Sequence, residues 1–180
     1  MRVKPLIAIP LIAIALAGCA AQQPAPEQSS VADEQNPLFS SDEEALAAAQ
    51  AAYANYLEVS DQIARDGGAN PERLKEFVSV NLYSEQESAY LDLQKSGLHA
   101  GGSTSSDHFR VQDYVSSTTS AKMISYVCID VSENPVFNSE GVDVTPTTRQ
   151  SRIPLEIGFA LFKDKVIIES SEVWSGTNFC

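Results

Sequence analysis

Apolar and polar positions change their spacing three times along this chain. From Pro5 to Gly18 the residues are apolar almost without interruption. From Ala20 to Phe39 there is no period at all, only Gln, Pro, Ser and scattered acids. From Ser40 the step becomes three and four residues, through Leu46, Ala49, Tyr53, Tyr56, Leu57, Ser60 and Ile63, the stripe of an amphipathic helix. Ser41-Asp-Glu-Glu44 is a capping box at its start, and Gly67-Gly68 marks its end. Asn70-Pro71 predicts a second, short helix with Pro in its first turn and Leu74, Phe77 and Val78 inward. Ser84-Glu-Gln-Glu87 predicts the start of a third, running through Tyr90 and Leu93 to Gly97.

After the loop "HAGGSTSSD" the period falls to two. Phe109, Val111 and Val115 alternate with Arg110, Gln112 and Tyr114; Met123, Val127, Ile129 and Val131 alternate with Tyr126, Cys128 and Asp130. Two further strands run from Ile153 to Leu161 and from Val166 to Trp174, joined by a tight Lys163-Asp164 turn. The polar stretch Glu133 to Gln150 is a long connection between strands. Helices first and antiparallel strands after predict an α+β domain, three N-terminal helices packed on a bent sheet of four to five strands.

The first apolar run is an address. Arg2 and Lys4 precede it, and its length of about 14 residues falls short of the roughly 20 that span a bilayer. It ends in Leu16-Ala17-Gly18-Cys19, which resembles the lipobox of bacterial lipoproteins. The resemblance implies a signal peptide over residues 1–18, diacylglycerol on the Cys19 thiol, and cleavage that leaves Cys19 first. Two or three acyl chains, at about 0.8 kcal/mol per buried methylene, hold a protein stably at a membrane. Residues 19–39 then form a disordered tether with a reach of roughly 25 Å. Residues 40–180 are the length of one domain. The expected location is the extracytoplasmic face of the cell membrane.

Charge narrows the partners. The full chain carries a formal charge of −12; without residues 1–18, 10 Lys+Arg face 24 Asp+Glu, a charge of −14. That balance excludes nucleic acid and electrostatic adsorption to anionic lipid, which leaves the acyl anchor as the membrane contact.

The order of elements is similar to the nuclear transport factor 2-like fold, the cystatin-like cone shared with ketosteroid isomerase and polyketide cyclases. More narrowly, the chain resembles small lipoproteins of high-GC Gram-positive bacteria. The features that carry this are Cys19, Tyr53 and Tyr56 on the first helix, Cys128-Ile-Asp130-Val-Ser132, Trp174 and a terminal Cys180. The resemblance implies a cone whose mouth, lined by Tyr53, Tyr56 and Trp174, takes a small apolar ligand or a protein partner.

Catalysis in such a mouth needs a base with a raised pKa and a donor for the developing oxyanion. Asp130 has the parity of Tyr126 and Cys128, opposite the aliphatic set, and reads as a turn-forming acid before Ser132. His99 and His108 flank the Gly/Ser loop, and Asp107 and His108, as strand neighbours, are expected on opposite faces. Neither His has a second His or a Cys at ligand spacing, so no metal and no cofactor are expected. The residues therefore favour a non-catalytic binding or accessory module of the envelope. An isomerase- or dehydratase-like enzyme and a structural or sensory subunit of a membrane complex are the alternatives.

With Cys19 assigned to the lipobox, Cys128 and Cys180 remain as the only other thiols. Outside the cytoplasm such a pair is expected to form a disulfide, closing a loop of about 53 residues.

Overall fold

The structure, a computed structural model, describes residues 38–162 and 164–180. The expected signal peptide, Cys19 and nearly all of the expected tether lie outside the described residues, as does Lys163 of the expected turn. The folded domain takes in Leu38 and Phe39, which pack against the core, and the Leu38 N–H donates to the Ser117 carbonyl at 2.9 Å.

Helix α1 spans Asp42–Arg65. The Ser41 side chain accepts from the Glu44 N–H at 3.2 Å, while the Glu44 carboxylate reaches back to the Ser40 N–H at 2.7 Å, one residue earlier than a standard box. Asp42, Glu43 and Glu44 lie at the positive end of the helix dipole. At the other end the Gly68 N–H reaches the Ile63 carbonyl at 2.8 Å and the Gly67 N–H the Ala64 carbonyl at 3.1 Å, a Schellman motif. Gly67 and Gly68 have φ of 68° and 85°. A Cβ at Gly68 would stand 2.2 Å from the Tyr90 carbonyl oxygen, so glycine also sets how closely this turn approaches the next helix.

Pro71–Glu76 form a single 3-10 segment rather than an α-helix. Asn70 is left-handed at φ 55° and makes no side-chain cap, so the expected N-cap is replaced by a sharp backbone reversal. Helix α2 runs Val80–Ser96, capped by Ser79, whose hydroxyl accepts from the Leu82 N–H at 3.2 Å. The Ser84–Glu87 box therefore lies inside the helix. The start is decided by the sheet: the Ser79 N–H donates to the Ile168 carbonyl and its hydroxyl to that of Glu169, fixing the chain where the helix begins. Gly97, left-handed, ends α2.

Among the described residues six strands follow: β1 (His99–Ala100), β2 (Ser105–Ser116), β3 (Ser120–Asp130), β4 (Val136–Phe137), β5 (Arg152–Phe162) and β6 (Val166–Val173). Strands β2-β3-β5-β6 form one antiparallel sheet in that order, and β1 pairs with β4 in a small second sheet. The Gly/Ser loop is thus shorter than its sequence suggests, since β1 opens it and β2 begins within it. The domain is α+β, with helices packed against antiparallel sheets.

The inner face of the large sheet carries Met123, Val127, Ile157, Phe159, Leu161 and Ile168, all essentially buried. Tyr53 from α1 lies among them, its ring edge-on to Phe109 at 5.8 Å and to Phe159 at 6.2 Å. Strand β2 departs from simple alternation because its register with β3 shifts between Asp107 and Arg110 and again between Val111 and Asp113. Each bulge adds a residue and inverts the parity beyond it. Tyr114 consequently turns inward opposite Met123, and Val115, expected inward, is exposed beside Lys122. A third shift lies in β6 opposite Gly158 and Phe159. Beside it, the Ile168 N–H donates to the Phe77 carbonyl at 2.9 Å, so residues 77–79 run along part of β6.

Candidate functional site

Two regions gather polar side chains. The first is a groove of about 360 Å³ between the C-terminal half of α1 and residues 103–106, lined by Leu57, Glu58, Asp61, Arg65 and the hydroxyl-bearing run Ser103 to Ser106. Asp61 is a buried acid on the inward stripe of α1, four residues after Leu57. Its carboxyl oxygens accept from the Thr104 N–H at 2.6 Å, the Thr104 hydroxyl at 2.9 Å and the Asn134 amide at 3.2 Å. Arg65 adds a bond from its guanidinium to the Gly102 carbonyl at 2.7 Å. These contacts tie α1 to the start of β2 and to the turn after β3. A carboxyl group held by three donors of its own chain stabilises loops and is poorly placed to take a substrate proton. Asp61 was not singled out in the sequence; the available signal was an acid on an apolar stripe.

The tyrosines expected at a cone mouth divide. Tyr53 is sealed in the core, and burial raises its phenol pKa. Tyr56, its ring 5.5 Å from that of Tyr53, lies at the α1–α2 contact and accepts from the Gln86 amide at 2.7 Å. Burial, with a contribution from Tyr90, pushes its pKa up to about 12. Both phenols stay protonated at neutral pH. Tyr90 and Ser60 extend the same polar seam at 2.6 Å. Trp174 is on the opposite face of the sheet, its ring 4.7 Å from Tyr126, with Phe179 5.7 Å from the same tyrosine. The structure does not bring Trp174 together with Tyr53 and Tyr56: Tyr126 and its outward-facing strand neighbours hold it on the far side.

That outer face is the second region. Cys128 and Cys180 are disulfide-bonded, with Cα atoms 5.6 Å apart. Cys128 points outward yet is fully buried, because the C-terminal tail closes over it. Around it stand Asp107, His108, Asp130 and Arg152. Arg152 donates through Nη2 to both Asp107 oxygens, at 2.7 and 2.9 Å, and through Nη1 to Asp130 at 3.0 Å. Asp130 also accepts from the Ser132 N–H at 2.9 Å. Asp107 and His108 do not lie on opposite faces: the first β2 bulge places His108 at φ 54°, and its Nδ1 comes within 2.7 Å of Asp107 Oδ1. His99, by contrast, lies tilted against Phe137, with ring centroids 5.8 Å apart, in the small sheet.

The carboxyls of this face are held below the ordinary range, Asp107 by His108 and then Arg152, Asp130 by Ser132 and then Arg152. A depressed folded pKa contributes stability above the unfolded value of about 3.9 and loses it as pH falls through the lower folded value. Arg152→Gln is therefore expected to lower the melting temperature slightly at pH 7, where this stabilisation is fully present, and to converge on wild type as the pH falls from 7 through the acid range below about 4. Thermal melts across that range check this; parallel curves for both proteins would contradict it.

No protein-family model and no curated protein matches the chain. Among solved structures, it is similar to the intermembrane-space region of the chloroplast protein ARC6, at 12% identity over 71% of this chain and 95% of that one, with a TM-score of 0.49. At that score the likeness carries no argument about what the domain does, and the functional reading rests on the chain's own residues.

Proposed function

We propose that the protein is a lipid-anchored, extracytoplasmic lipoprotein of the cell envelope whose domain binds or accompanies another component without catalysing a reaction. The observation that carries this is the Cys128–Cys180 disulfide, which leaves Cys19 as the one thiol outside the pair and suits an oxidising compartment. Leu16-Ala17-Gly18-Cys19 then supplies the anchor. Among the described residues no helix is long and apolar enough to cross a membrane, consistent with attachment through acyl chains.

The bent, cone-like form of nuclear transport factor 2-like domains belongs to the same proposal, supported by the bulges in β2 and β6, which bend a sheet. The enzyme alternative is less well supported. Tyr53 fills the inner face where a substrate would sit, and the oxygens of Asp61 are occupied by loop donors.

Detergent partitioning tests the anchor. The wild-type chain is expected in the detergent phase with a mass increment for its acyl groups, and Cys19→Ala in the aqueous phase or as an uncleaved precursor. A Cys19→Ala chain that is processed and partitions as wild type would overturn the reading.

A further inference from the structure

The outer face of the sheet brings together more ligand chemistry than a disulfide and an ion pair require. One ligand atom each from Asp107, His108 and Cys128 lies within 4.8 Å of the other two. Cys180 is bonded to Cys128 and so adds a second sulfur at the same place. With the disulfide closed, neither sulfur is a thiolate, and the group is a weak metal ligand set. The geometry points to a second state of this face: when the disulfide is reduced, Cys128, Cys180 and His108, supported by Asp107, form a site for a zinc-class divalent cation.

The step balances. A dithiol reductant breaks the Sγ–Sγ bond and is itself oxidised to a disulfide, its two electrons and two protons leaving Cys128 and Cys180 as thiols. The cation then displaces both thiol protons to solvent and takes two thiolates. Two sulfurs, one imidazole and a carboxylate or water make a tetrahedral set of the kind zinc prefers. On such a cation the sulfurs stand roughly 3.8 Å apart, from zinc–sulfur bonds of about 2.3 Å. Residues 174–180 lie beyond β6, so Cys180 can make that opening without moving the sheet.

The surroundings suit the cation. Arg152 holds Asp107 with both oxygens engaged, and Asp107 in turn contacts the His108 ring at 2.7 Å. The carboxylate thereby fixes the orientation of the ring through its Nδ1. Two thiolates and the Asp107 and Asp130 carboxylates bring four negative charges, of which Arg152 offsets one and a dication two, so the face favours a cation. The left-handed bulge at His108 is what allows the pairing, since regular strand geometry would send this ring to the opposite face.

The test titrates Co²⁺ into the full chain, with Cys19 acylated or replaced by Ala, before and after treatment with a dithiol. The expected result is one equivalent of Co²⁺ with a thiolate-to-metal charge-transfer band, seen only after reduction and abolished by excess Zn²⁺. His108→Asn tolerates the left-handed backbone and removes the imidazole; it should weaken Co²⁺ binding at least tenfold. The proposal is overturned by no band in the reduced chain or by equal binding in the disulfide form. It is overturned equally by unchanged affinity in His108→Asn, the result if two cysteines of an unfolded chain bound the metal unaided.

Discussion

Tyr53→Ala is expected to cost about 3–5 kcal/mol of stability, the range for deleting a large buried aromatic. The ring is 1% exposed and stands edge-on to Phe109 and Phe159 and tilted against Tyr56. Its removal leaves a cavity where α1 meets the sheet, and the Asp61 contacts two turns further along α1 limit how far the helix can settle into it. A domain of this size has about 5–15 kcal/mol in total, so the variant should melt far below wild type or fail to accumulate. Tyr53→Phe keeps the packing and should cost about 1 kcal/mol or less. Denaturant unfolding of the three proteins separates the readings. A ring lining an open ligand mouth would tolerate Ala nearly as well as Phe; a core ring would not.

The second large effect is expected from Cys180→Ser. In the chain-entropy model, a cross-link spanning 52 residues restricts the unfolded chain by about 4 kcal/mol. The melting temperature should fall by roughly 10 °C. The native structure contributes too: without the bond, Phe179 is no longer drawn over Tyr126, and Cys128 is left as a buried thiol under a loosened tail. Thiol titration of the unreduced chain, with Cys19 acylated, should find no reactive sulfur in the folded or the denatured state, and two after reduction. Two thiols in the denatured but unreduced wild type would contradict the bond. A melting temperature unmoved by Cys180→Ser would contradict its contribution.

What could be read from the sequence follows the range of the forces involved. Helix α1 was legible at both ends because Ser41, Glu44, Gly67 and Gly68 act within one turn of the helix they delimit. Strands β3 and β5 were legible because they pair residue for residue along their length without a shift. The start of α2 was not, since Ser79 and Ser84 are equivalent caps until Ile168 and Glu169 arrive from 90 residues away to choose between them. The parity of β2 failed after its bulges, which depend on the partner strand. Asp61 was missed for the same reason: its donors Thr104 and Asn134 lie 43 and 73 residues along the chain. The cysteine pair could be proposed by elimination, but the His108 ring beside it needed a positive φ that alternation does not foresee.

One consequence of the segment at residues 77–79 concerns neighbouring copies of the protein. An antiparallel sheet with bare sides is a template on which a second chain can add. Here the outer side of β6 is occupied at Ile168 by the domain's own backbone. On the other side β2 is interrupted twice, once through a left-handed residue, so no long run of unpaired amides stays in phase. Strand-to-strand addition is thereby impeded on one flank by occupancy around Ile168 and on the other by irregularity. Both flanks of the large sheet are thus poor templates for fusion into a filament.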